Sequence, residues 1–500
     1  MLHFFGGHCA HDHCLPKRAT RRARAGVGAM MLLPLLGGCM SMAPQPASLE
    51  ESQVVPQSWA IAQPEGSAIP LATYWTLLDD PLIDRFVARA QSENLDLAQA
   101  IARVRAAEAG LRDARGRRLP GVSANAGLRR DVGDLSSDDL QFSLGGDVSW
   151  ESDLFGRVSG SIAASREDLR AAGYSQADLE RVIVASVALQ TITARSLAEQ
   201  LAIARESLIN QEDNLQIARW RNQAGLVSSL DVEQARTQRA QTAATIPQLE
   251  SDLIATANAI STLIGEPPGD VYDAFLAQPG AVPVPPADIA LAVPAETLRR
   301  RPDVSAAEAR LAGDLDRVGI ARAQLYPLVR LSGTVGSTSL GVNDLFDIVT
   351  GNVFAGLTQL LFDGGRTRAQ IDSAQAIADG SLAAWRQSIL VALEEVETSA
   401  VRLDAGNARV VAFAEASDGA RNAAILARSQ YQAGLIDFQR LLTVESQLLG
   451  ARTSEVSAEA ARASAFVGLA RALGGGWSAP GTVDQSNQFE PAAANEGTGE

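Results

Sequence analysis

The histidines of this chain, His3, His8, His11 and His13, all lie before residue 14, and with Cys9 and Cys14 they make the run His8-Cys9-Ala10-His11-Asp12-His13-Cys14. Imidazoles and thiolates at that density are zinc-ligand types. Position argues against a metal site: the run stands upstream of a secretory-type segment and is discarded with it, or belongs to an over-extended start. Lys17 is the only lysine, and Cys39 is the last cysteine. Beyond it a Ser–His–Asp or Cys–His nucleophile set, a Schiff-base lysine and His/Cys metal ligation are all out of reach. No catalytic residue, metal or cofactor is therefore expected. Dropping the five basic residues and the one acid before Cys39 takes the net charge from −15 to −19, which argues against nucleic-acid binding.

The segment ahead of Cys39 explains where that cysteine belongs. Lys17 to Arg24 is a basic n-region, Val27 to Leu36 a short apolar stretch, and Leu36-Gly37-Gly38-Cys39 resembles a lipobox. Cleavage before Cys39 and acylation of its thiol follow from that resemblance, with residues 1–38 as a lipoprotein signal and 39–71 as a lipidated tether. Met40 rather than Asp follows the cysteine, which favours outer-membrane sorting by analogy with lipoproteins. No run of 18 apolar residues occurs after residue 39, so any membrane crossing must be made by a closed β-barrel.

The rest of the chain repeats itself. Asp96, Arg103 and Leu119-Pro120 recur 207 residues later as Asp303, Arg310 and Tyr326-Pro327; Gly156-Arg157 and Gln223-Ala224-Gly225-Leu226 recur 209 residues later. The first copy spans 72–265 and the second 294–475, joined by a Pro-rich linker over 266–293; residues 476–500 read as a disordered tail. Each copy has a leading helix, two strands, a very long helix, a glycine turn and a returning helix.

Period-two alternation predicts strands at 122–131, 140–150 and 328–337, with a fourth candidate at 352–362 that alternates poorly. Arg129, Asp147 and Arg330 fall on polar faces. Runs near ten residues suit a tilted bilayer crossing, but four strands cannot close a barrel, for which about eight is the minimum. Several chains must therefore contribute. The long helices, 157–222 and 366–432, would reach roughly 100 Å, the returning ones (228–264, 437–473) about 55 Å and the leading ones (94–118, 302–325) about 36 Å. One leading and one returning helix stacked end to end thus roughly match one long helix. Leu249, Leu253, Thr256, Ile260 and Leu263 keep heptad-like spacing, and Pro247 predicts a kink.

A specific resemblance follows from ordered motifs: Tyr74-Trp75, Asp80-Pro81-Leu82-Ile83, Asn94-Leu95-Asp96-Leu97, Trp150 through Arg157, Leu298 through Val304, Tyr326-Pro327, and Leu361 through Arg366. Over about 72–475 the chain resembles the outer membrane factors of the TolC/OprM type, in their NodT-like lipoprotein branch. The resemblance implies an α+β membrane protein: a homotrimer giving four strands per chain to a 12-stranded outer-membrane β-barrel, continuous with a long periplasmic α-helical coiled-coil barrel. It implies a passive exit duct for drugs or small toxic solutes, working with a periplasmic membrane-fusion adaptor and an inner-membrane pump of the resistance-nodulation-division (RND) class. The tips that dock the adaptor would be Gly225, Leu226, Val227 and Gly434, Leu435, Ile436. Gate candidates are Asp231, Asp437 and Arg440, although Arg440 and Thr443 stand where the TolC type has its aspartate ring. Arg129, Asp147 and Arg330 would line the pore, and Asp131, Asp134, Asp138 and Asp139 would sit in an outer loop. Type I protein secretion and an acylated periplasmic coiled-coil scaffold are the alternatives. A metal-efflux path is not evident, since methionine occurs past Cys39 only at Met40 and Met42.

Overall fold

The computed structural model describes residues 55–60, 69–130, 132, 139–286, 289 and 294–477, all within one unit, Ala43–Glu500. Cys39 with its signal segment, Asp131, Asp134, Asp138 and the tail from 478 onward lie outside the described residues.

After a 3-10 turn at Leu71–Leu78 come α1 (Pro81–Glu93), α2 (Leu95–Gly116), β1 (Gly121–Arg130), β2 (Leu140–Ser152), α3 (Arg157–Gln223) and α4 (Ser229–Leu263). Then follow α5 (Asp270–Ala277), α6 (Pro294–Arg300), α7 (Pro302–Ala323), β3 (Leu328–Ser339), β4 (Thr350–Thr358), α8 (Arg366–Gln432) and α9 (Phe438–Ala472). The 67 residues of α3 and of α8 give each a length near 100 Å. α3 packs on α2 and α4, and α8 on α7 and α9. One stretch of α3 is apolar enough to cross a membrane, but more than half of it is buried within the protein, as in a core helix.

The end-to-end stacking expected from helix lengths has a joint, built twice. Asn94 caps α2, accepting from Leu97 N at 2.9 Å, and its Nδ2 donates to the Leu263 carbonyl at the end of α4 at 2.8 Å. At the equivalent places Arg301 precedes α7 and its Nη1 donates to the Ala472 carbonyl of α9 at 2.9 Å. Gly265 and Gly474, both at positive φ, terminate α4 and α9. A Cβ on Gly265 would come within 2.6 Å of the Glu93 carbonyl oxygen, and one on Gly474 within 3.1 Å of that of Arg300. The same backbone approach therefore recurs with different side-chain chemistry.

The sheet is antiparallel in the order β1-β2-β3-β4, so the copies meet at the β2–β3 pairing. Its register puts Val122, Val148, Gly333 and Val353 in one row and Ser123, Asp147, Thr334 and Asn352 in the next. One face is thus mainly apolar and the other mainly polar, with Phe354 on the polar side and Arg130 on the apolar side among the exceptions. The apolar face is bare: Val353 is 90% exposed and Val122 77%.

One expectation needs correction. The fourth strand covers 350–358 rather than 352–362. Leu360, Leu361 and Phe362 lie past its end, and within the strand Val353, Ala355 and Leu357 share the apolar face while Phe354 interrupts the polar one. The Pro-rich linker carries a helix of its own. Val271 and Phe275 of α5 are buried against Phe86 and Ile260 in the main core, and α6 begins directly after the linker. At the margins, Trp59 is buried and Gly476 N donates to the Leu71 carbonyl at 2.8 Å. α4 runs as one helix through Pro247.

Candidate functional site

Both glycine turns lie at one end of the long helices. Gly225 follows α3 at φ +74°, with Leu226 N donating to the Arg221 carbonyl at 2.8 Å; Gly434 follows α8 at φ +75°, with Leu435 N donating to that of Gln430 at 2.8 Å. That 6→1 bond with a left-handed glycine is the Schellman ending. Leu226 and Leu435 are about three-quarters exposed, while Val227 and Ile436 are half-buried. Below the turns, Leu215 and Ala218 of α3 pack with Ala427 and Tyr431 of α8 and Phe438 and Leu441 of α9, which clamps the two hairpins together.

The gate candidates have local structural partners. Asp231 and Ser228 form a capping box at the start of α4, with Ser228 N donating to the Asp231 carboxylate at 3.1 Å. Asp437 caps α9, accepting from Arg440 N at 2.7 Å. The Arg440 side chain is exposed and makes no ion pair among the described residues.

At the other end, Arg129, Asp147 and Arg330 share the polar face of the sheet. Asp147 accepts from Asn125 Nδ2 at 3.3 Å, and Arg330 lies opposite Glu151, whose carboxylate accepts from Arg157 Nε at 2.8 Å. Asp139 lies just before β2. Where strands give way to helices, Asp153 accepts from Val158 N and Ser159 N, each at 2.8 Å, and Asp363 from Thr367 N at 2.8 Å. Burial works to raise the Asp153 pKa, but hydrogen bonds from Ser159 and Val158 outweigh it and hold the carboxyl below its usual range.

A bare-faced sheet with two open edges, joined to paired long helices that end in two glycine turns, is a fold with known relatives. The family profile described as "Outer membrane efflux protein" matches residues 86–266 and 293–475, one stretch per copy.

The chain belongs to the outer membrane efflux protein family.

It is 32% identical over 456 residues to the pyoverdine export outer membrane protein OpmQ of Pseudomonas aeruginosa, covering 89% of this chain and 95% of that one. With OprJ of the same species it shares 30% identity over 476 residues, 91% of this chain and 97% of the relative. The outer-membrane channel OprN superposes with a TM-score of 0.79 at 30% identity, over 88% of this chain and all of OprN. An efflux protein of this family resides in the outer membrane and extends into the periplasm.

Several contacts that hold the two hairpins together have little signal in the sequence. Arg221 of α3 lies 4.4 Å over the Tyr431 ring and donates to the Tyr431 carbonyl at 3.3 Å, so the first hairpin covers the end of α8. Burial raises the Tyr431 pKa, against the pull of Arg221. Deeper in, Glu445 of α9 accepts from Asn214 of α3 and, at 3.0 Å, from Arg428 of α8. Their only sequence signal was polarity at buried helical positions, which single-chain periodicity does not separate from a solvated face.

Proposed function

We propose that three copies of this chain close their sheets into a 12-stranded β-barrel and their helices into a periplasmic tube, forming the exit duct of a tripartite RND-type efflux system. The observation that carries this reading is the sheet itself: four strands with one apolar exposed face and unpaired edges at β1 and β4. Unpaired backbone amides and carbonyls are costly in lipid, so edge must meet edge in a closed ring. The polar face, with Arg129, Asp147 and Arg330, then lines the pore. The turns at Gly225–Val227 and Gly434–Ile436 present exposed leucines to a periplasmic adaptor protein, and Asp231, Asp437 and Arg440 stand at the aperture. Cys39, acylated, adds a lipid anchor.

Transport through such a duct is passive and needs no catalytic group. The name of OpmQ, a pyoverdine exporter, supports a small exported solute, here a drug or toxic small molecule. The test is purification of the full-length protein in neutral detergent. It should migrate as a trimer that shifts on heating and should conduct ions in planar bilayers. A monomer that conducts nothing refutes the duct.

A further inference from the structure

The helix-side rim of the sheet combines an apolar band with exposed positive charge. Trp150 stands in the apolar row with Leu331 and Ala355, and its indole N–H donates to the Arg118 carbonyl at 3.0 Å. That bond ties the end of the first leading helix to the apolar side of the sheet. There Leu119 is exposed, next to exposed Arg115 and Arg118. The second copy repeats the order. Leu361 and Phe362 are about nine-tenths exposed just past β4, and exposed Arg366 and Arg368 follow.

Among the described residues these four arginines make no ion pair within hydrogen-bonding reach, although Arg118 and Arg366 act electrostatically on Asp153 and Asp363; neighbouring Arg117 pairs with Asp113 at 2.9 Å and Arg157 pairs with Glu151. The carboxylates of the junction, Asp153 and Asp363, are engaged by the first amides of α3 and α8. Four such guanidiniums along one apolar rim stand out in a chain of net charge −15. A guanidinium matches a phosphate through paired N–H donors, and an apolar band flanked by cations is the order found at a bilayer interface.

We propose that this rim binds anionic phospholipids of the inner leaflet, with Leu119, Leu361 and Phe362 among the acyl chains and Arg115, Arg118, Arg366 and Arg368 on the headgroup phosphates. Continuity with the bare apolar face selects lipid over an acidic protein. The proposal rests on the barrel reading above, which places that face in the membrane.

The purified full-length oligomer, offered equal amounts of phosphatidylethanolamine and phosphatidylglycerol in detergent, is read by native mass spectrometry for retained lipid. Phosphatidylglycerol should be retained preferentially. The preference should fade toward about 1 M salt, where the screening length shrinks to about 3 Å. The R115Q/R118Q/R366Q/R368Q variant should lose it, on the order of fivefold per arginine, with conductance and heat-shifted migration unchanged. Equal retention by the parent, or an undiminished preference in the variant, overturns the proposal. Should the variant fail to assemble, the parent's salt titration decides, and a salt-insensitive preference overturns it. A parent that forms no conducting oligomer overturns the duct reading and this one with it.

Discussion

Arg301 is 1% exposed, and its guanidinium reaches the Asp303 carboxylate at 2.6 Å and that of Glu395 at 2.8 Å. Burial pushes the Asp303 pKa up, but the hydrogen bond and charge of Arg301 win and hold it below its ordinary value. A depressed folded pKa contributes stability that is fully present above the unfolded value near 3.9 and is lost as pH falls through the folded one. The stability that Asp303 contributes should therefore be lost as pH falls below about 4, and Asp303→Asn should reduce the fall in melting temperature over that range while lowering stability at neutral pH, both read by thermal unfolding. Gly434 offers a different test. Nothing lies within 4 Å of a Cβ built there, so Gly434→Val costs only the left-handed backbone, about 1–2 kcal/mol. The trimer should survive and export should fail in an efflux complementation assay; normal efflux would displace the docking role from this turn. Both glycine turns were legible in the sequence because the tetrapeptide Gln-Ala-Gly-Leu repeats. Arg301 was legible only as part of a motif, since nothing in Arg299-Arg300-Arg301 distinguishes the buried arginine from its neighbours.

Among the elements, the two joints between stacked helices answer differently to substitution than the tips do. Gly265 needs both a positive φ and the absence of a Cβ, because the Glu93 carbonyl oxygen would lie 2.6 Å away; Gly225 needs only the positive φ. Gly265→Ala should lower the unfolding midpoint in denaturant well beyond Gly225→Ala, and equal midpoints would show that the joint yields to the added methyl. Helix positions and lengths were legible because two 67-residue stretches carry no proline. The helix α5 was not, since the prolines around Val271 and Phe275 mask an eight-residue helix whose order comes from burial in the core. The end of β4 was blurred for the opposite reason: Leu360, Leu361 and Phe362 are apolar residues outside the strand.

At the scale of the whole molecule, duplication and the polar and apolar sheet faces were readable, whereas strand order was not, because period-two alternation says nothing about which strand neighbours which. The copies are joined by only one covalent link, yet they share the β2–β3 pairing and the contacts of α3 with α7 and α9. Two separately encoded halves, divided within 280–286, should therefore assemble when co-produced and co-purify under non-denaturing conditions. Halves that never associate would show that the linker is needed to bring them together. The β2–β3 ladder itself reaches further. It binds 11 residues of one hairpin to 11 of the other. In the proposed ring, β4 of each chain must meet β1 of the next in the same antiparallel sense, over at most the nine residues of β4. Six hairpins then alternate around the wall, and every second seam is crossed by no peptide link. Each chain thus holds at its own midline an intramolecular rehearsal of the handshake it offers its neighbours.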